Sequence, residues 1–237
     1  MTGKRLALVI ARERGIDAPA GLARFEAHGL AIVHAPAPID AATPSTQQIE
    51  AFASAVDRLH REETVLPLRY GWLVESGAGL QAVIDRHRDA WREALDAVEG
   101  CEEMGLRVLL EAPSSGALPG PRPPSPDSAT DRPGTAYLAA LRHRMAGSEA
   151  LVQEAARASV TIGEALSGLY RRSVTELPGP GRERLLSLVF LVHRSHLDAF
   201  RTSMKALEGR IPGQILLTGP WPPYNFAGPT AATSDLA

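Results

Sequence analysis

The chain has 237 residues, with 25 Lys+Arg against 27 Asp+Glu, enough to bury a respectable core and to form two modest domains. Its charges nearly cancel and no basic stripe runs along it, which argues against a polyanionic partner, so no nucleic acid is expected. Cys101 is the single cysteine; it can form neither an internal disulfide nor a thiolate zinc cluster, and a reducing cytosol is the simplest home.

No membrane partner is expected either. The longest apolar run, "LLSLVFLV" at 185–192, falls far short of the roughly 18 residues that span a bilayer. The N-terminal "LALVIA" runs into "RERG" and is too short for a signal-peptide core, so residues 5–11 read as a first strand. Residues 29–35 read as a second. Ser45 and Gln48 have the spacing of a capping box, and Ile49, Phe52, Val56 and Leu59 recur behind them at helical spacing. "TVLPLRYG" reads as a strand with Leu66, Leu68 and Tyr70 on one face, and Pro67, lacking an N–H, places it at an edge or a bulge. A second helix follows with Leu80, Val83, Ile84, His87, Trp91, Leu95 and Val98 inward. "MGLRVLL" then puts Leu106, Val108 and Leu110 on one side of a closing strand.

Residues 112–134 carry seven prolines and few apolar side chains. They cannot bury enough surface to offset their ordering entropy and read as a mobile, partly extended linker. Beyond it, residues 135–173 follow a 3-4 spacing (Leu138, Leu141, Met145, Val152, Ala155, Ile162, Leu166, Leu169), read as a helical hairpin broken near Gly147. "RLLSLVFLVH" reads as a buried strand. Ser195 and Asp198 open a helix lined by Leu197, Phe200, Met204 and Leu207, which Gly209 ends; "GQILLTG" is the last strand. The expected architecture is therefore α+β in two domains. An N-terminal ferredoxin-like sheet with helices on one face fills 1–111, a Pro-rich linker 112–134, and a C-terminal α+β domain with long helices and a small sheet 135–237.

Catalytic signatures are absent at motif level: no G-x-S-x-G, H-E-x-x-H or C-x-x-C occurs, and the glycine clusters "ESGAGL" and "LPGPGRER" lack phosphate-loop spacing and a Walker lysine. His193 and His196 in "HRSH" would fall on a strand end and a first helical turn, which suits cap or surface histidines better than a metal pair. His87, on an apolar stripe, reads as a hydrogen-bonded core histidine. Cys101 stands beside Glu102 and Glu103, whose charges oppose thiolate formation; the two carboxylates read as a solvated turn.

One stretch stands out. "LTGPWPPYNF" at 217–226 packs three prolines and three rings into ten residues after an apolar strand. Prolines restrict themselves and the residues before them, so the segment reads as a stiff polyproline-II rod. Trp221 and Tyr224, one turn apart, should then face one way, with Phe226 pointing elsewhere. Such a rod loses little entropy on docking, and two places fit it: its own domain's core, or a partner. Pro220 and Pro223 also form a generic PxxP pair.

The same stretch resembles the closing T-G-P-W-P-P-Y-x-F motif of the gas vesicle GvpF/GvpL family. "VLPLRYG" is similar to the family's V-L-P-x-R-F-G, with Arg69 retained and Tyr70 in place of Phe. "GCEEMGLRVLL" resembles the strand region after its second N-terminal helix. "PGTAYL" is similar to its P-G-x-A-Y-L, and "FLVHRSHLDAF" to its F-L-V-D-x-x-x-x-x-F, with His193 where Asp is common. The resemblance implies a cytoplasmic or vesicle-associated accessory protein for building gas vesicles, the gas-filled compartments that give cells buoyancy. It implies no enzyme activity, no cofactor and no metal, and contacts with the hydrophobic shell protein (GvpA-like) and other accessory Gvp proteins. Pro220, Trp221, Pro222, Pro223, Tyr224, Phe226, Arg69 and Tyr70 are the motif residues expected to bind a partner or brace the surface that does. The alternative is a small-molecule-binding protein or enzyme on a ferredoxin-like scaffold, which would show a deep polar pocket with convergent titratable groups.

Overall fold

The computed structural model describes residues 4–15, 17–38, 43–74, 77–111, 133–179 and 184–228, with only the helical backbone described over 133–148. The protein is α+β with two sheets. The first begins with β1 (Arg5–Arg12), β2 (Ala23–Ala27) and β3 (Leu30–Pro36). β2, which sequence reading missed, joins β3 through a two-residue turn with His28 at φ 53° and Gly29 at φ 78°. Positive φ at both central residues gives the turn whose twist matches the flanking strands.

Helix α1 (Thr46–Glu62) starts at the predicted capping box: the Gln48 N–H donates to the Ser45 hydroxyl, and the Ser45 N–H to the Gln48 side chain. Phe52, Val56 and Leu59 are buried as expected, whereas Ile49 is 46% exposed. β4 (Val65–Pro67) and β5 (Leu73–Val74) both pair antiparallel with β1, and the sheet order is β2-β3-β1-β4. Pro67 thus sits on an edge strand, where a missing N–H costs no ladder bond.

Leu6 to Ala11 of β1 are all buried, which requires cover on both faces of the strand. Leu6, Leu8, Val9, Ala11, Val33 and Val65 pack with Phe52, Val56 and Leu59 of α1. Ile10 pairs with Ile32, and Ile32 with Phe25, so by strand alternation these side chains point the other way. There α2 (Gly77–Val98) begins, with Gly77 against the Phe25 ring, and Arg12 pairs with Asp96. The helices therefore lie on both faces of this sheet rather than on one.

The second sheet is formed by β6 (Cys101–Leu109), β7 (Arg172–Glu176), β8 (Leu185–His193) and β9 (Gln214–Trp221), in the order β7-β8-β6-β9. Helix α3 (Pro133–Ala165) lies between β6 and β7 in the chain, and α4 (Leu197–Ala206) between β8 and β9, after a 3-10 turn at Arg194–His196. This is the β-α-β-β-α-β run and strand order of a ferredoxin-like sheet. That topology, expected in 1–111, belongs here, and β6 opens this sheet instead of closing the first. Leu106, Val108 and Leu110 are fully buried, as their alternation required.

Helix α3 runs without a break at Gly147, so the expected hairpin is one helix. Its buried stripe is Leu151, Ala155, Ala158 and Ile162, continued by Leu166 just past its end; Ala155, Ile162 and Leu166 belong to the expected seam, while Leu151 is buried in place of the half-buried Val152. Gly168, at φ 79°, follows the helix end, and the chain then forms β7 over Arg172–Glu176, whose first two residues were read as the end of the helix.

Two compact units interleave along the chain. The first is Met1–Met104, Phe190–His196 and Gly219–Ala237; the second is Gly105–Val189 and Leu197–Thr218. The C-terminal segment, expected with residues 135–237, groups with the N-terminal unit. Of the expected linker, residues 112–132 lie outside the described residues, and 133–134 begin α3. Among the described residues no helix is long and apolar enough to cross a membrane.

Candidate partner-binding site

The proline- and aromatic-rich C-terminal stretch is no rod. β9 continues through Pro220 to Trp221, after a cis peptide bond between Gly219 and Pro220. The chain then folds into a tight turn, in which the Tyr224 N–H donates to Pro222 O (2.8 Å) and the Phe226 N–H to Pro223 O (3.1 Å). Gly219 is required at the entry. Its φ is 106°, and a Cβ there would lie 2.6 Å from the Glu103 carbonyl oxygen, closer than any side chain tolerates.

The turn divides its side chains between inside and outside. Pro222, Pro223, Phe226 and Ala227 are buried. Tyr224 is half-buried against the cluster of Leu6, Leu8, Phe52, Val56 and Leu59. Burial, followed by the charges of Asp57 and Glu103, pushes its hydroxyl pKa up to about 12. Trp221 stays 52% exposed, and Pro220 is exposed beside it. The expected alignment of Trp221 with Tyr224 is thus absent: strand geometry followed by a turn sends one ring out and the other in.

Asn225, the variable position of the motif, fastens the turn. Its backbone N–H donates to Glu103 Oε2 and its Nδ2 to Oε1, each at 2.8 Å. Glu103 is only 7% exposed. Burial raises its pKa, and the two Asn225 bonds partly offset that rise.

The adjacent Glu102 points to the other face of β6. Its Oε2 lies 2.7 Å from His60 Nε2, which must donate because a carboxylate only accepts. Arg194 Nε donates to Oε1 at 2.7 Å, and Arg194 Nη2 donates to the His60 carbonyl at 3.1 Å. Burial would raise the Glu102 pKa, but the bonds from His60 and Arg194 outweigh it and hold the carboxyl below its usual range. His60 Nδ1 is buried without a hydrogen-bond partner. The "CEEM" stretch is therefore no solvated turn. Two consecutive glutamates on an interior strand must face opposite ways, and each finds donors; that alternation was the available signal.

The remaining candidates take structural places. Tyr70 packs edge-on against Phe52, with ring centroids 5.2 Å apart and planes at 74°. It abuts the same cluster as Tyr224, while Arg69 is exposed. His193 Nδ1 accepts the Ser195 N–H at 3.3 Å and lies 2.7 Å from Ser195 Oγ, as an aspartate would at a helix start. Its ring and that of His196 are 6.2 Å apart. His87 is half-buried and tilted over Trp91. Cys101 is buried, its thiol directed at the Glu99 carbonyl. Among the described residues no three His, Cys, Asp or Glu side chains could hold a metal ion together.

Comparison with known proteins gives one answer from sequence and fold. The family described as gas vesicle synthesis protein GvpL/GvpF matches residues 4–228. Gas vesicle protein F1 of Halobacterium salinarum is 25% identical over 194 residues, which take in 79% of this chain and 73% of that protein. Gas vesicle protein L of a Streptomyces species is 26% identical over 171 residues, 69% of this chain and 62% of that one. The crystal structure of GvpF from Anabaena superposes with a TM-score of 0.67 at 14% identity, covering 95% of this chain and 98% of that one. GvpF from Microcystis aeruginosa gives 0.68 at 13% identity, over 95% and 99%.

Proposed function

Because this chain belongs to the gas vesicle synthesis protein GvpL/GvpF family, we propose that it serves gas vesicle formation as a non-catalytic accessory or structural protein. In this reading it binds the GvpA-like shell protein and other accessory gas vesicle proteins, in the cytoplasm and at the vesicle. A shell protein that is apolar on its gas-facing side must be held before it aggregates, and holding it takes apolar and aromatic contact rather than chemistry.

The observation that carries the proposal is the split within the C-terminal motif. Pro222, Pro223, Tyr224 and Phe226 brace the turn and Asn225 locks it to Glu103, leaving the Trp221 ring 52% exposed on a fixed backbone. A large aromatic held outward on a rigid support resembles the anchors that dominate protein interfaces. Tagged protein co-purified from vesicle-forming cells should retain the shell protein. Trp221→Ala should lose it and the vesicles while melting at the same temperature. Full vesicle yield with Trp221→Ala would remove Trp221 from the interface.

A further inference from the structure

Strand β7 (Arg172–Glu176) ends one side of the second sheet: in the order β7-β8-β6-β9 it pairs with β8, and among the described residues no strand lies beyond it. An edge strand offers a row of backbone N–H and C=O groups to any chain that can pair with them. All five residues of β7 are exposed, so its side chains are left uncovered on both faces. Val174, at its centre, is 41% exposed. The sequence R-S-V-T-E says which chain fits this edge. Set antiparallel to itself, it places Arg172 opposite Glu176, Ser173 opposite Thr175 and Val174 opposite its own copy, and every one of these pairs is complementary.

We propose that β7 pairs antiparallel with β7 of a second copy of this chain, about a two-fold axis at Val174, so that two four-stranded sheets become one continuous sheet. The register follows from the sequence. Residues opposed in an antiparallel ladder have backbone groups pointing the same way relative to the partner strand, so the axis must fall on a residue. On Ser173 it would oppose Arg172 to the partner's Val174, and on Thr175 it would oppose Glu176 to the partner's Val174. The axis on Val174 alone matches both charges, uses all five residues and covers the valine with its copy. Parallel pairing in register would set like charges against each other at both ends, which destabilises the pair. The charged ends that protect an edge from indiscriminate pairing thus admit one arrangement. Each chain has one β7, so this contact closes at two copies. Five residues a side make a small contact, and the dimer is accordingly weak, with a Kd of roughly 10 µM to 1 mM. The pairing is independent of Trp221 and of the gas vesicle role.

The test is sedimentation of the full chain from about 10 µM to about 1 mM. Wild type should pass from monomer to dimer over that range. Arg172→Glu sets two carboxylates opposite each other at both ends of the ladder, and Glu176→Arg sets two guanidinium groups there. Each variant alone should dimerise at least tenfold more weakly. An equimolar mixture of the two should associate again, because acidic ends then meet basic ones, and the double variant Arg172→Glu/Glu176→Arg should dimerise as wild type does. Val174→Lys, which brings two ammonium groups together at the axis, should weaken the dimer at least tenfold. These positions are exposed, so the melting temperature measured on dilute protein should hold. A wild type still monomeric at about 1 mM would overturn the proposal. So would a dimer indifferent to the charge reversals, or two single variants that fail to associate when mixed.

Discussion

Asn225 grips Glu103 with two donors at once, the backbone N–H on one carboxylate oxygen and the side-chain amide on the other, both at 2.8 Å. A buried carboxylate held this way is stabilised in its charged form by both donors, yet burial outweighs them and raises its pKa. Asn225→Ala removes one donor and keeps the other. The loss should be about 1.5–3 kcal/mol, the worth of a hydrogen bond to a charged group, read by urea unfolding. The Glu103 pKa should climb further, because one of its two lowering contacts is gone; a carboxyl-carbon NMR titration measures this directly. A pKa that stayed put or fell would show that the clamp is not what counters burial.

Gly219 lies within β9, shortly before the strand gives way to the turn. At φ 106°, with the Glu103 carbonyl 2.6 Å from any added Cβ, Gly219→Ala meets both backbone strain and a clash with main chain that cannot swing aside. It should cost about 1–3 kcal/mol or more. The Asn225 amide resonance should move as well, because the same backbone segment leads to the clamp. Gly168, also at positive φ (79°) but with nothing within 4 Å, is the control: there Ala should cost only the strain.

The inside and outside of the motif can be separated by truncation. Phe226 is 3% exposed and Trp221 52%. Phe226→Ala should destabilise by about 3–5 kcal/mol, the usual cost of emptying an aromatic site, whereas Trp221→Ala should stay within about 0.5 kcal/mol. Thermal and urea unfolding decide this, and equal losses would mean that Trp221 is structural too.

How far sequence alone could reach depends on the range of the interaction. The Ser45–Gln48 capping box is a contact between near neighbours and was readable to the residue. The unbroken burial of β1 was present as "LALVIA", but the cover on its second face comes from α2, some seventy residues on, and periodicity carries no such pairing information. β6 was read as a strand with the correct inward face, yet its partners are β8 and β9, a choice made by long-range packing. The C-terminal motif was legible as rigid and aromatic. Its shape was not, because local proline stiffness favours a rod, while docking onto Glu103 and the α1 cluster enforces a strand end and a turn. Asn225 escaped notice because nothing in its neighbourhood names a carboxylate 122 positions away.

Tyr224 predicts an alkaline limb. Its folded pKa of about 12 stands above the ordinary tyrosine value near 10, so between those values the folded chain holds a proton that the unfolded chain has lost. Stability must therefore fall as pH rises from about 10 towards 12. Absorbance at 295 nm should show one tyrosine ionising late, and Tyr224→Phe should abolish that step and flatten the limb. A wild type and variant with the same alkaline profile would contradict the burial assigned to this ring.

Glu102 predicts the acid limb, with the opposite sign to its neighbour. Its folded pKa lies below the usual glutamate range because His60 and Arg194 donate to it. Below the ordinary value near 4.3 the unfolded chain takes up a proton that folded Glu102 refuses. The stabilisation is complete above the unfolded pKa and is lost as pH falls through the folded one. Glu103, raised by burial, works the other way: it binds its proton more readily folded than unfolded, so its ionisation subtracts stability as pH rises from the unfolded value towards its higher folded one. Glu102→Gln should therefore flatten the acid loss of stability and cost about 1.5–3 kcal/mol at neutral pH, from two charge-assisted bonds weakened together. Replacement at Asn225 should leave the Glu102 contribution to that limb unchanged, since the two carboxylates face opposite sides of one strand. Stability measured by urea unfolding from pH 3 to 7 for wild type, Glu102→Gln and Asn225→Ala separates the two, and an acid limb that survived Glu102→Gln intact would place its origin elsewhere.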